Sequence, residues 1–256
     1  MANPHTIAVA GKGGVGKTTT CGMIIDYLCN KKNGPVLVVD DDANANLNEV
    51  LGVEVETSLG AIREEMAHAE LKGTLPARMT KADYAEFKFN SALIEDDDFD
   101  MLVMGRTQGK GCYCYVNGVL QSQVSKYAKN YSYVVMDNEA GLEHVARGTL
   151  PHVDTMLLIS DCSRRGIQAV ARIAEMIQDM NLNPSQMGMI VNRAPGGVLD
   201  DGIKAEIEKH GLKLFGVLPH DEAEYRCDCD GAPSAKLPDS DPMKVALKAV
   251  MAEIGL

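Results

Sequence analysis

The residues best suited to chemistry form a glycine-rich run near the amino terminus. The run reads Gly11, Lys12, Gly13, Gly14, Val15, Gly16, Lys17 and Thr18. It matches the spacing G-x-x-x-x-G-K-[ST], in which glycines let the backbone curl until successive N–H groups point at phosphate oxygens. Lys17 is then expected at the β- and γ-phosphates of a nucleotide, and Thr18 as a hydroxyl ligand of Mg²⁺. The run therefore predicts a site for a nucleotide and Mg²⁺.

The elements on both sides of the run are those that a phosphate-binding loop needs. The apolar stretch Thr6–Ala10 predicts a strand before the loop, and a helical pattern begins at Thr18. The helix would direct the positive end of its dipole at the same phosphates. This agreement disfavours the alternative, a glycine-rich turn that binds nothing.

Carboxylates follow two further predicted strands and fit the same site. The apolar run Val36–Val39 is followed by the three carboxylates Asp40–Asp42, and the run Tyr133–Met136 is followed by Asp137. Asp137 has the place of a Walker B aspartate, which holds Mg²⁺ through water. For Asp40–Asp42, a simple turn stays the alternative.

Seven short apolar runs predict strands, and helical patterns separate most of them. The runs are Thr6–Ala10, Val36–Val39, Met101–Met104, Tyr133–Met136, Thr155–Ile159, Met187–Val191 and Leu214–Val217. Strands that are apolar on both faces and alternate with helices indicate a parallel sheet covered on both sides. We therefore predict an α/β fold with a mostly parallel sheet of seven to eight strands, in a single domain over residues 1–256. The charged segment Leu59–Asp98 is expected to be a helical insertion, with Glu95–Asp98 as a solvated acidic surface.

Composition restricts the partners of the protein. The 256 residues carry a formal net charge of -11, and an acidic surface repels both DNA and anionic membranes. No run of 18 apolar residues occurs, and Met1–His5 lacks the features of a signal peptide. We therefore expect a cytoplasmic protein that binds neither nucleic acid nor membrane. The odd number of cysteines, seven, argues against a disulfide framework.

Two pairs of cysteines are spaced one residue apart. In an extended stretch, Cys112 and Cys114 would project to the same side, where two thiolates can chelate a borderline ion such as Ni²⁺ or Zn²⁺. A second copy of this pair on a dimer axis would complete a set of four ligands. The alternative is two thiols packed in a loop. Cys227 and Cys229 are expected in an exposed loop as incidental thiols, and a second metal chelate is their alternative.

The P-loop has one unusual residue. Lys12 directly follows the first glycine, where a typical P-loop has no need of a lysine. The run from Lys12 to Thr19 resembles the deviant Walker A loop of the nitrogenase iron protein, MinD and ParA class. The resemblance implies an ATPase that acts as a homodimer, with Lys12 reaching the phosphates on the partner subunit. It also implies that Asp42 orients or activates the attacking water and that Asp40 helps to hold Mg²⁺.

Three more segments are similar to this class. Asn192 follows a predicted strand, where the class has an asparagine that contacts adenine, and Pro219 stands in the place of the loop that closes over the base. The absence of the Asn-Lys-x-Asp pattern of GTPases favours ATP and its product ADP as ligands. Asn138–Gly141 resembles the loop that senses the γ-phosphate, but the spacing from Asp137 is one residue longer than the usual pattern.

Within this class, the chain resembles the CooC family, the ATPases that mature nickel carbon monoxide dehydrogenase. The resemblance covers nearly the full length and includes the P-loop, the Cys112-Tyr113-Cys114 loop and the run Val135–His144. It implies a metallochaperone that holds nickel or zinc between two subunits and serves carbon monoxide dehydrogenase or acetyl-CoA synthase.

Two other functions stay open at this point. One is an electron donor like the nitrogenase iron protein, with an iron–sulfur cluster between subunits, although that protein places its two cysteines on separate loops. The other is a positioning ATPase like MinD or ParA, although the amphipathic stretch Asp241–Leu256 carries few basic residues for a membrane surface.

Overall fold

Eight strands of the described chain form one sheet at the centre of the protein. The computed structural model describes residues 3–42, 44–74, 76, 79–105, 122–138 and 152–256. The strands are β1 (His5–Gly11), β2 (Val36–Asp41), β3 (Ile94–Glu95), β4 (Phe99–Val103), β5 (Tyr133–Asn138), β6 (Thr155–Asp161), β7 (Gln186–Ala194) and β8 (Leu214–Pro219). Their order is β3-β4-β2-β5-β1-β6-β7-β8, with every neighbouring pair parallel except β3 and β4. The prediction of a mostly parallel sheet of seven to eight strands is confirmed.

Helices cover both faces of the sheet. They are α1 (Lys17–Lys31), α2 (Leu47–Leu51), α3 (Leu59–Lys72), α4 (Lys81–Asn90), α5 (residues 122–128), α6 (Arg164–Asp179), α7 (Asp201–Lys209), α8 (Glu222–Asp230) and α9 (Pro242–Glu253). Helices α1, α2 and α9 pack on one face, and α3 to α7 pack on the other. Along β1, Ile7 and Val9 lie in the apolar cluster on the face covered by α1, α2 and α9, whereas Ala8 and Ala10 lie in the cluster on the opposite face. The strands are apolar on both faces because both faces are covered.

The segment Leu59–Asp98 contains α3, α4 and the short strand β3. Leu59, Ile62 and Phe89 lie in the same apolar cluster as one face of the sheet. The acidic run Glu95–Asp98 is exposed, as predicted. The strand β3 was not predicted, because two residues are too few to show the alternation by which a strand is recognised in a sequence.

No helix of the described chain is both long enough and apolar enough to cross a bilayer.

A buried carboxylate joins α6 to α7 on the face of the sheet that α3 to α7 cover. The side chain of Glu206 is only 4% exposed. It accepts hydrogen bonds from Gln168 Nε2 at 2.8 Å and from Arg164 Nη2 at 2.9 Å, and it lies 3.2 Å from His210 Nε2. The hydrogen bonds from Gln168 and Arg164 lower the pKa of Glu206 from 4.5 to about 2. The ionised carboxylate is therefore favoured by the folded state.

We predict that Glu206→Gln lowers the melting temperature at pH 7. Because the folded-state pKa of Glu206 is depressed, its contribution to stability is complete above about pH 4.5 and is lost as the pH falls towards 2. Melting followed by circular dichroism should show a difference between parent and variant at pH 7 that disappears across that range. Glu208→Gln, at an exposed position of the same helix, is the matched control. An equal loss at pH 7 in both variants would contradict the role of the network.

Candidate functional site

The glycine-rich run forms the turn between β1 and α1, as its spacing predicts. Gly14 and Gly16 have φ values of 80° and 87°, in the left-handed region that glycine enters without strain. Gly11 lies so close to β6 that a Cβ atom there would come within 2.3 Å of the carbonyl oxygen of Ile159. Glycine is thus needed in this loop both for its turns and for its packing against the sheet.

Helix α1 begins directly after the loop, at Lys17. The residue before it, Gly16, has no side chain to accept hydrogen bonds, so the N–H groups of the first turn have no side-chain cap. An uncapped helix amino end is suited to an anion. Lys17 is buried at this end, whereas Lys12 is exposed. The two lysines of the motif therefore have different surroundings, one inside the subunit and one on its surface.

Two strand ends bring carboxylates to the P-loop. The register of β2 and β5 sets Asp40 opposite Asp137, and β5 also pairs with β1, which leads into the loop. Asp137 is 1% exposed, and neither carboxylate oxygen has a hydrogen-bond partner of standard geometry among the described residues. Burial raises the pKa of Asp137 to about 7; the Thr18 hydroxyl and Lys17 oppose the rise, and Asp40 and Asp42 add to it.

This arrangement fits a divalent cation. A buried carboxylate without enough hydrogen bonds is unfavourable unless a positive charge compensates it. Mg²⁺ prefers oxygen ligands, and Asp137 and Thr18 offer a carboxylate and a hydroxyl close to each other. The residues present are therefore suited to hold Mg²⁺ beside the phosphate loop.

Asp40 has a different environment from Asp137. Its two carboxylate oxygens accept hydrogen bonds from the main-chain N–H groups of Asp42 at 3.1 Å and Leu47 at 3.2 Å. Burial raises the pKa of Asp40 to about 6, although these two hydrogen bonds lower it. Asp40 therefore fixes the start of the connection from β2 to α2. The carboxylate of Asp42 is held in turn by the N–H group of Asn44 at 2.8 Å.

The end of β7 contributes two residues that contact the P-loop. Asn192 is buried, and its Nδ2 donates a hydrogen bond to the carbonyl oxygen of Val15 at 3.0 Å. The Nη1 atom of Arg193 donates to the carbonyl oxygen of Gly14 at 3.2 Å. A Cβ atom on Gly16 would lie 2.2 Å from Asn192 Nδ2, so this contact needs glycine there. The contact of Asn192 with adenine stays a prediction, since the amide contacts described here are with the loop.

The end of β8 is attached to the end of β7. Pro219 is in register with Ala194, and the N–H group of His220 donates to the carbonyl oxygen of Ala194 at 2.9 Å. The segment expected to close over the base thus starts beside the residues that contact the P-loop.

Sequence reasoning missed two residues of the site, Arg193 and Glu224. Glu224 lies on α8, is 5% exposed, and has its Oε1 atom 3.9 Å from Nη2 of Arg193. Burial raises the pKa of Glu224, while Arg193 and the Thr19 hydroxyl lower it. The helix start signal at Asp221 was the one indication in the sequence, because a helix that begins there directs Glu224 back towards the sheet edge.

The cysteines of α8 correct one prediction. Cys227 and Cys229 lie on a helix, so the expected exposed loop is wrong. Residues two apart on a helix do not face each other, which leaves this pair unsuited to bind one ion together. Cys227 lines a cavity of about 210 Å³ beside Thr18 and Thr19, whereas Cys229 is exposed. Within the described part of the chain, no three histidine, cysteine or acidic side chains are grouped to hold a metal ion.

Other predicted site residues lie outside the described residues. These are Cys112 and Cys114, together with residues 139–141 of the expected γ-phosphate loop. Asn138, the first residue of that loop, ends β5 and donates from its side chain to the carbonyl oxygen of Val9 at 3.0 Å. The metal pair and the switch loop therefore stay predictions.

Comparison with known proteins agrees with this geometry. Residues 5–187 match the family model AAA_31, described as an AAA domain. The chain is 39% identical to an uncharacterized ATP-binding protein of Methanocaldococcus jannaschii, over 97% of both chains. It is 27% identical to the carbon monoxide dehydrogenase accessory protein CooC of Rhodospirillum rubrum, over 83% of this chain and 90% of the relative.

A solved structure shows the same fold. The ParA family ATPase from Chlorobium tepidum superposes with a TM-score of 0.72 at 17% identity, covering 98% of this chain and 99% of the other. The P-loop between β1 and α1, the buried carboxylates at the ends of β2 and β5, and these relatives lead to one assignment. The chain belongs to the AAA_31 family of AAA domains and is a P-loop ATPase with the fold of the ParA and MinD proteins.

Proposed function

We propose that this ATPase is a metallochaperone that binds nickel and supports its insertion into a carbon monoxide dehydrogenase or acetyl-CoA synthase. The observation that carries the proposal is the Cys112–Cys114 pair in a chain that is similar to the CooC accessory protein. The name of that relative associates it with carbon monoxide dehydrogenase. Nickel is the cargo, and the same thiolates are also suited to zinc.

The ATPase site acts through the residues that surround the P-loop. Lys17, buried at the start of α1, binds the β- and γ-phosphates. Thr18, Asp40 and Asp137 would hold Mg²⁺, which when bound would neutralise charge on the phosphates. Asp42, whose carboxylate is held by a main-chain N–H group, orients the attacking water. In this proposal, Asn192 and Pro219 contact the adenine base.

A homodimer completes each site. Lys12 is exposed on the loop, and no hydrogen bond or ion pair of its ammonium group is seen among the described residues. An extended lysine there is able to reach phosphates bound by a second subunit. ATP then favours a closed dimer, in which the two cysteine pairs meet, and hydrolysis reopens it.

We predict that Lys12→Ala binds ATP nearly as the parent does but loses ATP-dependent dimers. Turnover should fall by about tenfold or more, because the variant lacks a charge that acts on the phosphates from the partner subunit. Sedimentation velocity with a non-hydrolysable ATP analogue and phosphate release measure the two effects. Lys32→Ala, at another exposed position, should behave like the parent, and Lys17→Ala should lose nucleotide binding itself. Normal dimers with normal turnover in Lys12→Ala would contradict a role across the interface.

We predict that Asp42→Asn binds ATP without hydrolysing it. Asparagine keeps the shape and an oxygen to accept the Asn44 N–H group, but it cannot orient or deprotonate water as a carboxylate does. Turnover should fall by about 10² or more, and the ATP-bound dimer should persist longer than that of the parent. Single-turnover hydrolysis and the lifetime of the dimer test this. Hydrolysis at the parent rate would place the water-orienting group elsewhere.

We predict one nickel ion per dimer, held by Cys112 and Cys114 of both subunits. Each pair supplies two thiolates, so affinity should rise when a non-hydrolysable ATP analogue closes the dimer. It should also rise with pH towards the usual cysteine pKa of about 8.5, because binding displaces thiol protons. Metal analysis of anaerobically purified protein, with and without the analogue, gives the stoichiometry.

The double variant Cys112→Ser, Cys114→Ser should lose this metal and keep ATP binding. The matched control is Cys227→Ser with Cys229→Ser, a pair of the same spacing on α8, which should bind metal like the parent. One ion per monomer, or undiminished binding by the first variant, would contradict the shared site. Iron with sulfide in place of nickel would favour an electron donor.

A further inference from the structure

Two adjacent residues at the end of β7 hold two successive carbonyl groups of the P-loop. Asn192 Nδ2 contacts the carbonyl oxygen of Val15, and Arg193 Nη1 contacts that of Gly14, at 3.0 Å and 3.2 Å. Both donors come from a strand two positions away from β1 in the sheet, so the contacts join distant parts of the chain.

Each of these contacts also fixes an N–H group. The chain has no cis peptide bond among the described residues, and in a trans peptide the C=O of one residue and the N–H of the next point in opposite directions. A fixed Gly14 carbonyl therefore fixes the direction of the Val15 N–H group, and a fixed Val15 carbonyl does the same for Gly16. In a P-loop, N–H groups of this stretch are the ones that face phosphate oxygens.

The backbone at the end of β7 is bent in a way that makes both contacts possible. Arg193 has a φ of 55°, which is strained for a residue with a side chain. Its N–H group donates to Asn192 Oδ1 at 2.8 Å, which sets the orientation of the amide so that Nδ2 faces Val15. The register between β7 and β8 is irregular at this point, between Val191 and Ala194.

Glu224 lies beside the Arg193 guanidinium. Its nearly buried carboxylate has Oε1 3.9 Å from Nη2 of Arg193, whose Nη1 atom donates to the carbonyl oxygen of Gly14. Helix α8 is itself fixed at its start, because Asp221 Oδ1 accepts the N–H groups of Ala223 at 2.8 Å and Glu224 at 3.0 Å. The guanidinium is thus placed between an acid on a capped helix and a carbonyl of the loop.

We propose that Asn192, Arg193 and Glu224 are positioning residues that set the N–H groups of Val15 and Gly16 towards the phosphates before the nucleotide binds. A loop that is already ordered loses less free energy on binding than one that must be ordered by its ligand. The proposal rests on the phosphate site described under the proposed function. This positioning role is separate from the adenine contact expected of Asn192, because it acts on the phosphates, which a ligand without a base also carries.

The test compares a ligand that has a base with one that has none. Calorimetry measures the affinity of Mg²⁺–ADP and of Mg²⁺–pyrophosphate for the parent and its variants. Arg193→Ala should weaken both ligands by the same factor, about tenfold, since it removes a charged donor. Arg193→Lys should restore part of the affinity, because its ammonium group is able to donate to Gly14. Glu224→Gln should weaken the binding of both ligands. It should do so by a smaller factor in a variant in which Arg193 is already replaced.

Arg164→Ala is the matched control, because Arg164 is also a partly exposed arginine paired with a buried glutamate, Glu206, away from the P-loop. It should bind both ligands like the parent. Weaker ADP binding with unchanged pyrophosphate binding in Arg193→Ala would assign Arg193 to the base and overturn the proposal. Parent-like binding of both ligands by Arg193→Ala would also overturn it.

Loss of the phosphate site and loss of the positioning role give different results. A parent protein that binds ADP but no pyrophosphate would contradict the phosphate site itself, on which the positioning role depends. A parent that binds both, with variants that do the same, would leave the site intact and overturn the positioning role. If Arg193→Ala does not fold, Arg193→Lys and Glu224→Gln give the same comparison.

Discussion

The register of two parallel strands places Asp40 and Asp137 opposite each other at the carboxyl edge of the sheet. Both carboxylates are buried. Helices cover the two faces of the sheet and exclude water from the side chains between them. Their raised pKa values, about 6 and about 7, reflect the free-energy cost of placing two acids in such surroundings. Asp40 is compensated by main-chain N–H groups, whereas Asp137 depends on what binds beside Lys17 and Thr18. The fold thus holds an anionic position ready for a cation.

Much of the fold was predictable because its strands are short, continuous apolar runs bounded by turns. β3 was not predicted because its two residues are too few to show an alternating pattern, and the acidic residues next to it indicate an exposed surface. The motif in the P-loop predicted its own local geometry, since glycine spacing and strand–loop–helix order are local properties of the chain. The positions of Asp40 and Asp137 near the ends of β2 and β5 were predictable for a related reason, because each directly follows an apolar run. Their roles at Mg²⁺ stay predictions.

The residues that support the P-loop from outside were harder to find. Arg193 contacts Gly14 across most of the length of the chain, and its partner Glu224 lies on a helix whose start signal does not indicate which residues it contacts. Nothing in the spacing of a sequence reports such distant contacts. The expected role of Asn192 came from resemblance to a class, whereas its contact with Val15 is visible only once β7 and the loop lie side by side.

The hairpin of β3 and β4 has a consequence for how this protein behaves among other molecules. An uncovered edge strand presents unpaired N–H and C=O groups to which a foreign strand is able to attach. Among the described residues, the two residues of β3 pair with the outer edge of β4, and the exposed acidic run Glu95–Asp98 begins within β3. A strand approaching this edge would have to desolvate four carboxylates next to the backbone it sought to pair with. The acidic run therefore opposes the addition of a strand from another molecule at the β3 edge of the sheet.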